Sequence, residues 1–426
     1  MRLEVKKQKL KSGLTLVTVP MQADSATAML MVKAGSRNES KKINGISHFL
    51  EHMVFKGTQR WPTPMGMNQV IDSIGGVYNA WTSKEYTAFW IKVAKKHLGL
   101  GLEFLHQAVF KPLLPEKELE KERGVILEEI KMYEDNPMHK VMKSFINQIF
   151  KDSSLGQEVI GRPENIMRLK KEEFYKYMKN WYQPENMVLG IAGGMEKEVN
   201  KTVESRFKSL GKSKRSCTDQ PMKLKFSQSQ PRVQLVNKKI EQAHFCLGAR
   251  IFKRDHQDRY VLEVLTTILG GSTSSRLWQE IREKRGLVYY IRTNSYSLTE
   301  TGYLMTQAGC DVHKINQAIK ITLNEYGKIS QKKVLSSELK LAKEYLKGRL
   351  ALGLEDSQDV AGLFASDLLL DNKLRSIEEI KKRIDQVEIS DVLRVANGLL
   401  KPDQMNLTVV GPFEPKQKES FQKILI

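Results

Sequence analysis

Cysteine is scarce: Cys217, Cys246 and Cys310 are the only three in 426 residues, odd in number and far apart. Such a set argues against a disulfide framework and suits a reducing cytoplasm, the expected location. None sits at a metal-like spacing, so all three read as structural. Long apolar runs are missing as well. With no stretch of about 18 apolar residues, neither a transmembrane helix nor a membrane partner is expected. The start, Met1-Arg2-Leu3-Glu4-Val5-Lys6-Lys7, has no apolar core of the kind a secretion signal needs. Acidic residues are in deficit, 49 Asp and Glu against 69 Lys and Arg, a formal charge of +20. An excess of that size can mark a nucleic-acid binder. Here the lysines spread over the whole chain and no dense basic run is interleaved with aromatics. The charge therefore reads as a solvated basic surface, with no nucleic-acid partner.

What is present is a compact chemical motif. Asn44 to Gly57 reads as one short helix, with Asn44 as its N-cap and Gly57 just past its end. Inside it His48 and His52 are four apart, so both imidazoles leave one face, one turn apart. Two neutral imidazoles so placed can hold one Zn²⁺ at about 2.0–2.1 Å. Glu51 reaches the same face and is placed as a base for the water such a metal activates. The order His-x-x-Glu-His reverses the commoner His-Glu-x-x-His. Phe49, Leu50, Met53, Val54 and Phe55 bury the helix, and polar groups buried there without a ligand would be costly.

Around this motif the pattern alternates. Strands are expected at Leu3 to Lys9, Leu14 to Val19, Ala28 to Ala34, Val77 to Thr82, Tyr86 to Val93 and Asn186 to Ala192. Helices are expected at Met67 to Ile74, Lys96 to Val109, Pro115 to Met132, Met138 to Phe150 and Phe174 to Lys179. The polar segment 211–230 reads as a linker. Beyond it the chain echoes itself. Pro184 to Gly193 matches Pro402 to Gly411, each a turn and a final strand, and Tyr260 to Gly271 matches the motif helix. Aligning Gly57 with Gly270 puts Val261, Val264 and Leu265 where His48, Glu51 and His52 stand. The fold is thus duplicated, and only the first copy keeps metal chemistry.

A catalytic zinc needs a third protein ligand. His97, His106, His139 and the acids of the helix from Pro115 are the candidates. Val125, Ile126 and Ile130 mark that helix's buried side. Glu129 sits beside them, Glu122 shares its angle seven residues earlier, and Glu128 points about 100° away. Glu129 is the expected ligand and Glu122 an acid orienting a histidine or the site water; Glu118 reads as solvated surface.

His-Phe-Leu-Glu-His-Met-Val-Phe-Lys-Gly-Thr, residues 48–58, resembles the zinc helix of the pitrilysin, insulinase and mitochondrial processing peptidase family. Glu-Arg-Gly-Val-Ile-Leu-Glu-Glu-Ile, residues 122–130, is similar to that family's acidic helix, where the positions of Glu122 and Glu129 are a helper glutamate and the third ligand. Gly75 to Thr82 resembles the family's substrate-binding edge strand, to which an extended peptide can add. Asn79 and Ala80 match positions that touch substrate backbone. Arg282 and Tyr289 match a pair that steadies the substrate carbonyl and the tetrahedral intermediate, with Arg285 and Tyr290 as close competitors. The resemblance covers nearly the whole chain. The chain departs from processing members in being strongly basic, against their acidic cavity, and in lacking the glycine-rich loop of the non-catalytic processing subunit.

These readings imply an α+β fold of two similar domains, each an antiparallel sheet covered by helices: 1–212 with the zinc site, a linker at 213–230, and 231–426 with Arg282 and Tyr289. The expected function is a zinc-dependent endopeptidase cutting peptides or unfolded segments in a closed chamber. The alternative is a non-catalytic assembly or core subunit of the same fold. Larger relatives join four such domains, so two chains of this length are expected to pair as a homodimer, each protomer's Arg282 and Tyr289 serving the other's zinc.

Overall fold

The computed structural model describes residues 3–151, 153–208, 224 and 227–425. They form two compact units, each built on one sheet. The first sheet contains β1 (Lys6–Lys9), β2 (Thr15–Pro20), β3 (Ser25–Val32), β4 (Val77–Thr82), β5 (Thr87–Ala94) and β6 (Met187–Gly193), in the order β1-β2-β6-β3-β5-β4. The second contains β7 (Arg232–Asn237), β8 (Gln242–Ile251), β9 (Val288–Ser297), β10 (Gly302–Asp311) and β11 (Asn406–Gly411), in the order β7-β11-β8-β10-β9. Without β1 the two orders are the same permutation. The duplication seen in the sequence is therefore a duplication of topology. One expectation needs correction: neither sheet is wholly antiparallel. β2 runs parallel to β6, and β7 parallel to β11. In each sheet the last strand returns through helices to lie beside the first of the five shared strands, β2 or β7, and points the same way.

The central strands are read easily from their residues. β3 is buried from Ala26 through Val32, an unbroken apolar-or-threonine run that only a strand covered on both faces tolerates. β4 is half exposed, and β5 is the one described strand that pairs with it, so β4 is a sheet edge.

The first half supplies helices α1 (Ile46–Met53), α2 (Pro64–Asp72), α3 (Leu98–Phe110), α4 (Glu116–Asp135), α5 (Pro137–Ile149), α6 (Pro163–Arg168), α7 (Lys171–Trp181) and α8 (Val199–Phe207). The second half includes α9 (Arg259–Thr266), α10 (Ile315–Gln331), α11 (Ser336–Gly353) and α12 (Ser357–Ser366). Most of the expected linker, 213–230, lies outside the described residues, as does Cys217. Around it the units do not follow a single cut. Met132–Gly156, with α5, belongs to the second unit, and Ala351–Ile377, with α12, to the first.

Each exchanged helix is held by specific packing. α12 lies close on β3 and β6 because small residues meet there: a Cβ on Gly190 would stand 2.8 Å from the Ala361 carbonyl oxygen and 3.1 Å from Ala365 Cβ. Thr27 and Ser357 hydroxyls bond at 2.8 Å across the same contact. In the second unit Val141, Phe145 and Ile149 of α5 pack with Cys246, Tyr303, Met305 and Val410 of the sheet, and Thr408 Oγ1 donates to Gln148 Oε1 at 2.8 Å. The amphipathic pattern of either helix shows that a face is buried but not which sheet covers it.

Candidate metal centre

α1 buries Ile46, Phe49, Leu50 and Met53, and this apolar side turns His48, Glu51 and His52 together onto the other. α4 buries Leu119, Glu122, Arg123, Ile126 and Ile130, a helical stripe, with Glu129 at its margin. Both Glu129 and Glu122 face the two histidines, as the helical phase expected, although Val125 is 50% exposed and does not belong to the buried stripe. Glu129 Oε2 lies 3.7 Å from Nε2 of both histidines. Ligand atoms about 2.0–2.1 Å from one tetrahedral ion stand about 3.4 Å apart, so two imidazoles and a carboxylate so spaced fit Zn²⁺. Among the described residues His48, His52 and Glu129 are the group of donors that converges in this way.

Neighbouring groups set the protonation of these donors. Burial, with the neighbouring His52 second, drives the His48 imidazole down to about 3, so it stays neutral and able to bind a metal. Burial alone would raise Glu122, but hydrogen bonds from His52 and Lys56 and their charges outweigh it and hold this carboxylate below its usual range. Glu122 is then a pure acceptor. His52 Nδ1–H donates to its Oε2 at 3.1 Å, which leaves the Nε2 lone pair pointing at the site. Lys56 Nζ is 2.6 Å from the other oxygen, Oε1. Glu51 is raised by burial, partly offset by a 2.6 Å hydrogen bond from the Thr82 hydroxyl to Oε2.

The start of α1 departs from expectation. Gly45, not Asn44, occupies the N-cap, at φ +105, and its missing side chain matters: a Cβ there would meet Gly161 Cα at 2.9 Å. The capping acceptor comes from outside the helix. Glu39, fully buried, accepts from the Gly45 and Ser47 backbone N–H groups and from Asn44 Nδ2, each at 2.8 Å. Burial raises its carboxyl, against which these hydrogen bonds act. Lys84, pushed down to about 8 by burial, donates to the Gln157 carbonyl beside it. At the far end α1 stops at Met53, and Gly57 serves a turn three residues beyond the Val54 cap.

The other expected residues fall as follows. Asn79 and Ala80 lie mid-strand on edge strand β4, where Asn79 Oδ1 accepts from the Ala80 N–H at 2.8 Å. Arg282 and Tyr289 belong to the second unit. The Arg282 guanidinium stacks over Trp278 at 4.7 Å, and Tyr289 is 60% exposed on edge strand β9. The competitors are engaged locally, Arg285 with Glu280 and Tyr290 with His244. His97 precedes α3, His106 packs on Phe110 and Phe207, and His139 stacks on Tyr133; none joins the donor cluster. Sequence reasoning missed Glu39, Lys56 and Thr82. Only Lys56, one turn after His52, carried a usable signal.

A duplicated α+β fold with two histidines from one short helix and a glutamate from a second has the build of a metallopeptidase. The sequence pattern of insulinase (peptidase family M16) matches residues 16–162, and that of the peptidase M16 inactive domain matches residues 168–346. An uncharacterized zinc protease of Streptomyces coelicolor is 32% identical over 97% of this chain and 91% of its own. Another, of Bacillus subtilis, is 34% identical over 89% of this chain and 91% of its own. The crystal structure of a protease from Helicobacter pylori superposes with a TM-score of 0.91 at 26% identity, covering 97% of this chain and all of that one. The chain belongs to the insulinase family of zinc peptidases. No helix among the described residues is long and apolar enough to cross a membrane.

Proposed function

We propose that this peptidase is a zinc-dependent endopeptidase that cuts peptides and unfolded segments in a closed chamber. The observation that carries the reading is the convergence of His48, His52 and Glu129, with Glu51 one residue before His52 on the same helix. His48 and His52 through Nε2, and Glu129 through Oε2, would hold the zinc. When bound, it supplies Lewis-acid polarisation of the scissile carbonyl and lowers the pKa of water toward 7. Glu51 takes the proton of the attacking water and later gives it to the leaving amine; its raised pKa suits both roles. Glu122 keeps His52 in the tautomer that binds through Nε2.

The substrate backbone adds to β4, where a peptide carbonyl takes over the Ala80 N–H from Asn79 Oδ1. Arg282 and Tyr289 supply charge and a hydroxyl to the developing oxyanion. Two copies pair around a closed chamber, with these two residues serving the partner's zinc.

Metal analysis and a quenched-fluorescent unfolded peptide test this together. One zinc per chain and turnover abolished by Glu51→Gln are expected, with a stable folded domain spared. Zinc without any peptide turnover would favour the assembly-subunit alternative. Mixing Glu51→Gln and Arg282→Ala chains should restore activity, up to about half per heterodimer, because one of its two sites is intact. No recovery after proven subunit exchange would refute the shared site.

A further inference from the structure

We propose that Thr82 is a positioning residue for Glu51: its hydroxyl reserves Oε2 and leaves Oε1 as the oxygen that takes and returns the proton. This rests on the reading of Glu51 as the base. The hydrogen bond is short for a hydroxyl–carboxylate pair, 2.6 Å, in the range of charge-assisted bonds. The direction of its proton follows from counting. Among the described residues the other hydroxyl bonded to that of Thr82, Thr87 Oγ1, is 3.5 Å away and donates its own proton to the Ala34 carbonyl at 2.9 Å. Thr82 has one proton and one good acceptor, Glu51 Oε2. Protonating the oxygen that already accepts the hydroxyl would weaken that bond, whereas protonating the other oxygen leaves it intact, so Oε1 is the favoured site for the proton. The Thr82 contact therefore persists while Oε1 receives a proton from water, whose oxygen bonds the carbonyl carbon. It also persists when Oε1 passes the proton to the amine nitrogen as the C–N bond breaks.

The location adds a second argument. Thr82 is the last residue of β4, the strand read as the peptide track. Its side chain ties the base to the same six-residue element that would align the substrate. β4 is itself anchored to β5 at this end, where Thr82 pairs with Thr87. Base and scissile bond are then registered through one strand rather than through a loop. A displacement of about 1 Å in such a pair can cost about a hundredfold in rate.

The test uses Thr82→Val, which keeps the shape and removes the donor, and Thr82→Ser, which keeps the donor. With an unfolded peptide substrate, Thr82→Val should lower kcat about 10- to 100-fold with KM within about twofold. Zinc per chain and melting temperature should match the wild type, and Thr82→Ser should recover kcat to within about threefold. The proposal is overturned if Thr82→Val keeps kcat within about twofold, if its loss tracks a loss of zinc, or if Ser is as damaging as Val. Glu51→Gln is measured alongside. If it is inert while Thr82→Val is normal, only the role of Thr82 falls; if it turns over near the wild-type rate, the base reading falls and takes this one with it.

Discussion

α1 and α9 occupy the same place in two sheets of the same topology, each following the strand that is second in chain order among the five shared ones, β3 and β8. In α1 the positions facing the site are His48, Glu51 and His52, partly open to solvent. In α9 the aligned positions are Val261, Val264 and Leu265, all buried, the last two completely. The scaffold tolerates either a polar or an apolar occupant here only because the surroundings change with it. In the first unit α4 brings Glu122 and Glu129 to meet the histidines, and Glu39 caps the helix from outside. In the second unit the apolar trio joins a core cluster with Leu247, Ile291 and Ala342. A metal site is thus a property of three elements together, and the helix alone does not carry it.

The strongest way to break this comparison is to move the trio. Val261→His, Val264→Glu and Leu265→His, made together, should bind no second zinc and should unfold the protein. Three polar groups would be buried at about 2–7 kcal/mol each without partners. A folded variant with two zinc ions per chain would refute the three-element view. Next comes single-residue truncation in each unit. Glu129→Gln should lose most of the zinc and peptide turnover by about a thousandfold or more. Leu265→Ala should keep full zinc occupancy while costing about 2–5 kcal/mol in chemical denaturation. Zinc retained by Glu129→Gln but lost by Glu128→Gln would show the wrong face of α4 had been chosen.

A smaller effect is expected one layer out. Glu122→Gln should weaken zinc about 10- to 100-fold by freeing the His52 ring, measured by competition with a chelator. Last is a pH effect in zinc-free protein. The folded-state pKa of His48 lies near 3, below its ordinary 6.5. The unfolded chain then binds one more proton than the folded one between those values. Stability carried by this group is present above about pH 6.5 and is lost as the pH falls toward 3. His48→Gln should remove one proton's worth of that slope, whereas Val261→Ala should leave it unchanged.

How much of this could be read from the chain depends on how far apart the partners are. His48, Glu51 and His52 share one helix, so spacing alone set their common face. Glu129 and Glu122 needed a second helix, but its own period put both on the side that faces the two histidines. That Asn79 and Ala80 lie on a strand was legible from its alternating pattern. Glu39 was not, because its acceptor role exists only once a loop folds back on the Gly45 N–H, and a lone acid before a helix carries no pattern. The same holds for Thr82, whose partner is 31 residues earlier in the chain. The parallel strand pairs and the exchange of α5 and α12 were invisible for a related reason: burial patterns record how many faces are covered and not what covers them.

That exchange has a consequence for how the chain is made. β6 completes the first sheet at Gly193, but the helix that covers β3 and β6 ends only at Ser366. At about 5–20 residues per second the ribosome needs roughly 10–35 s to bridge that interval. Throughout it the first sheet waits with an apolar face uncovered, in the unit that carries the His48, His52 and Glu129 cluster. Chaperone demand should therefore peak late in synthesis, and chains released before α12 should be recovered as aggregate rather than as a soluble first domain.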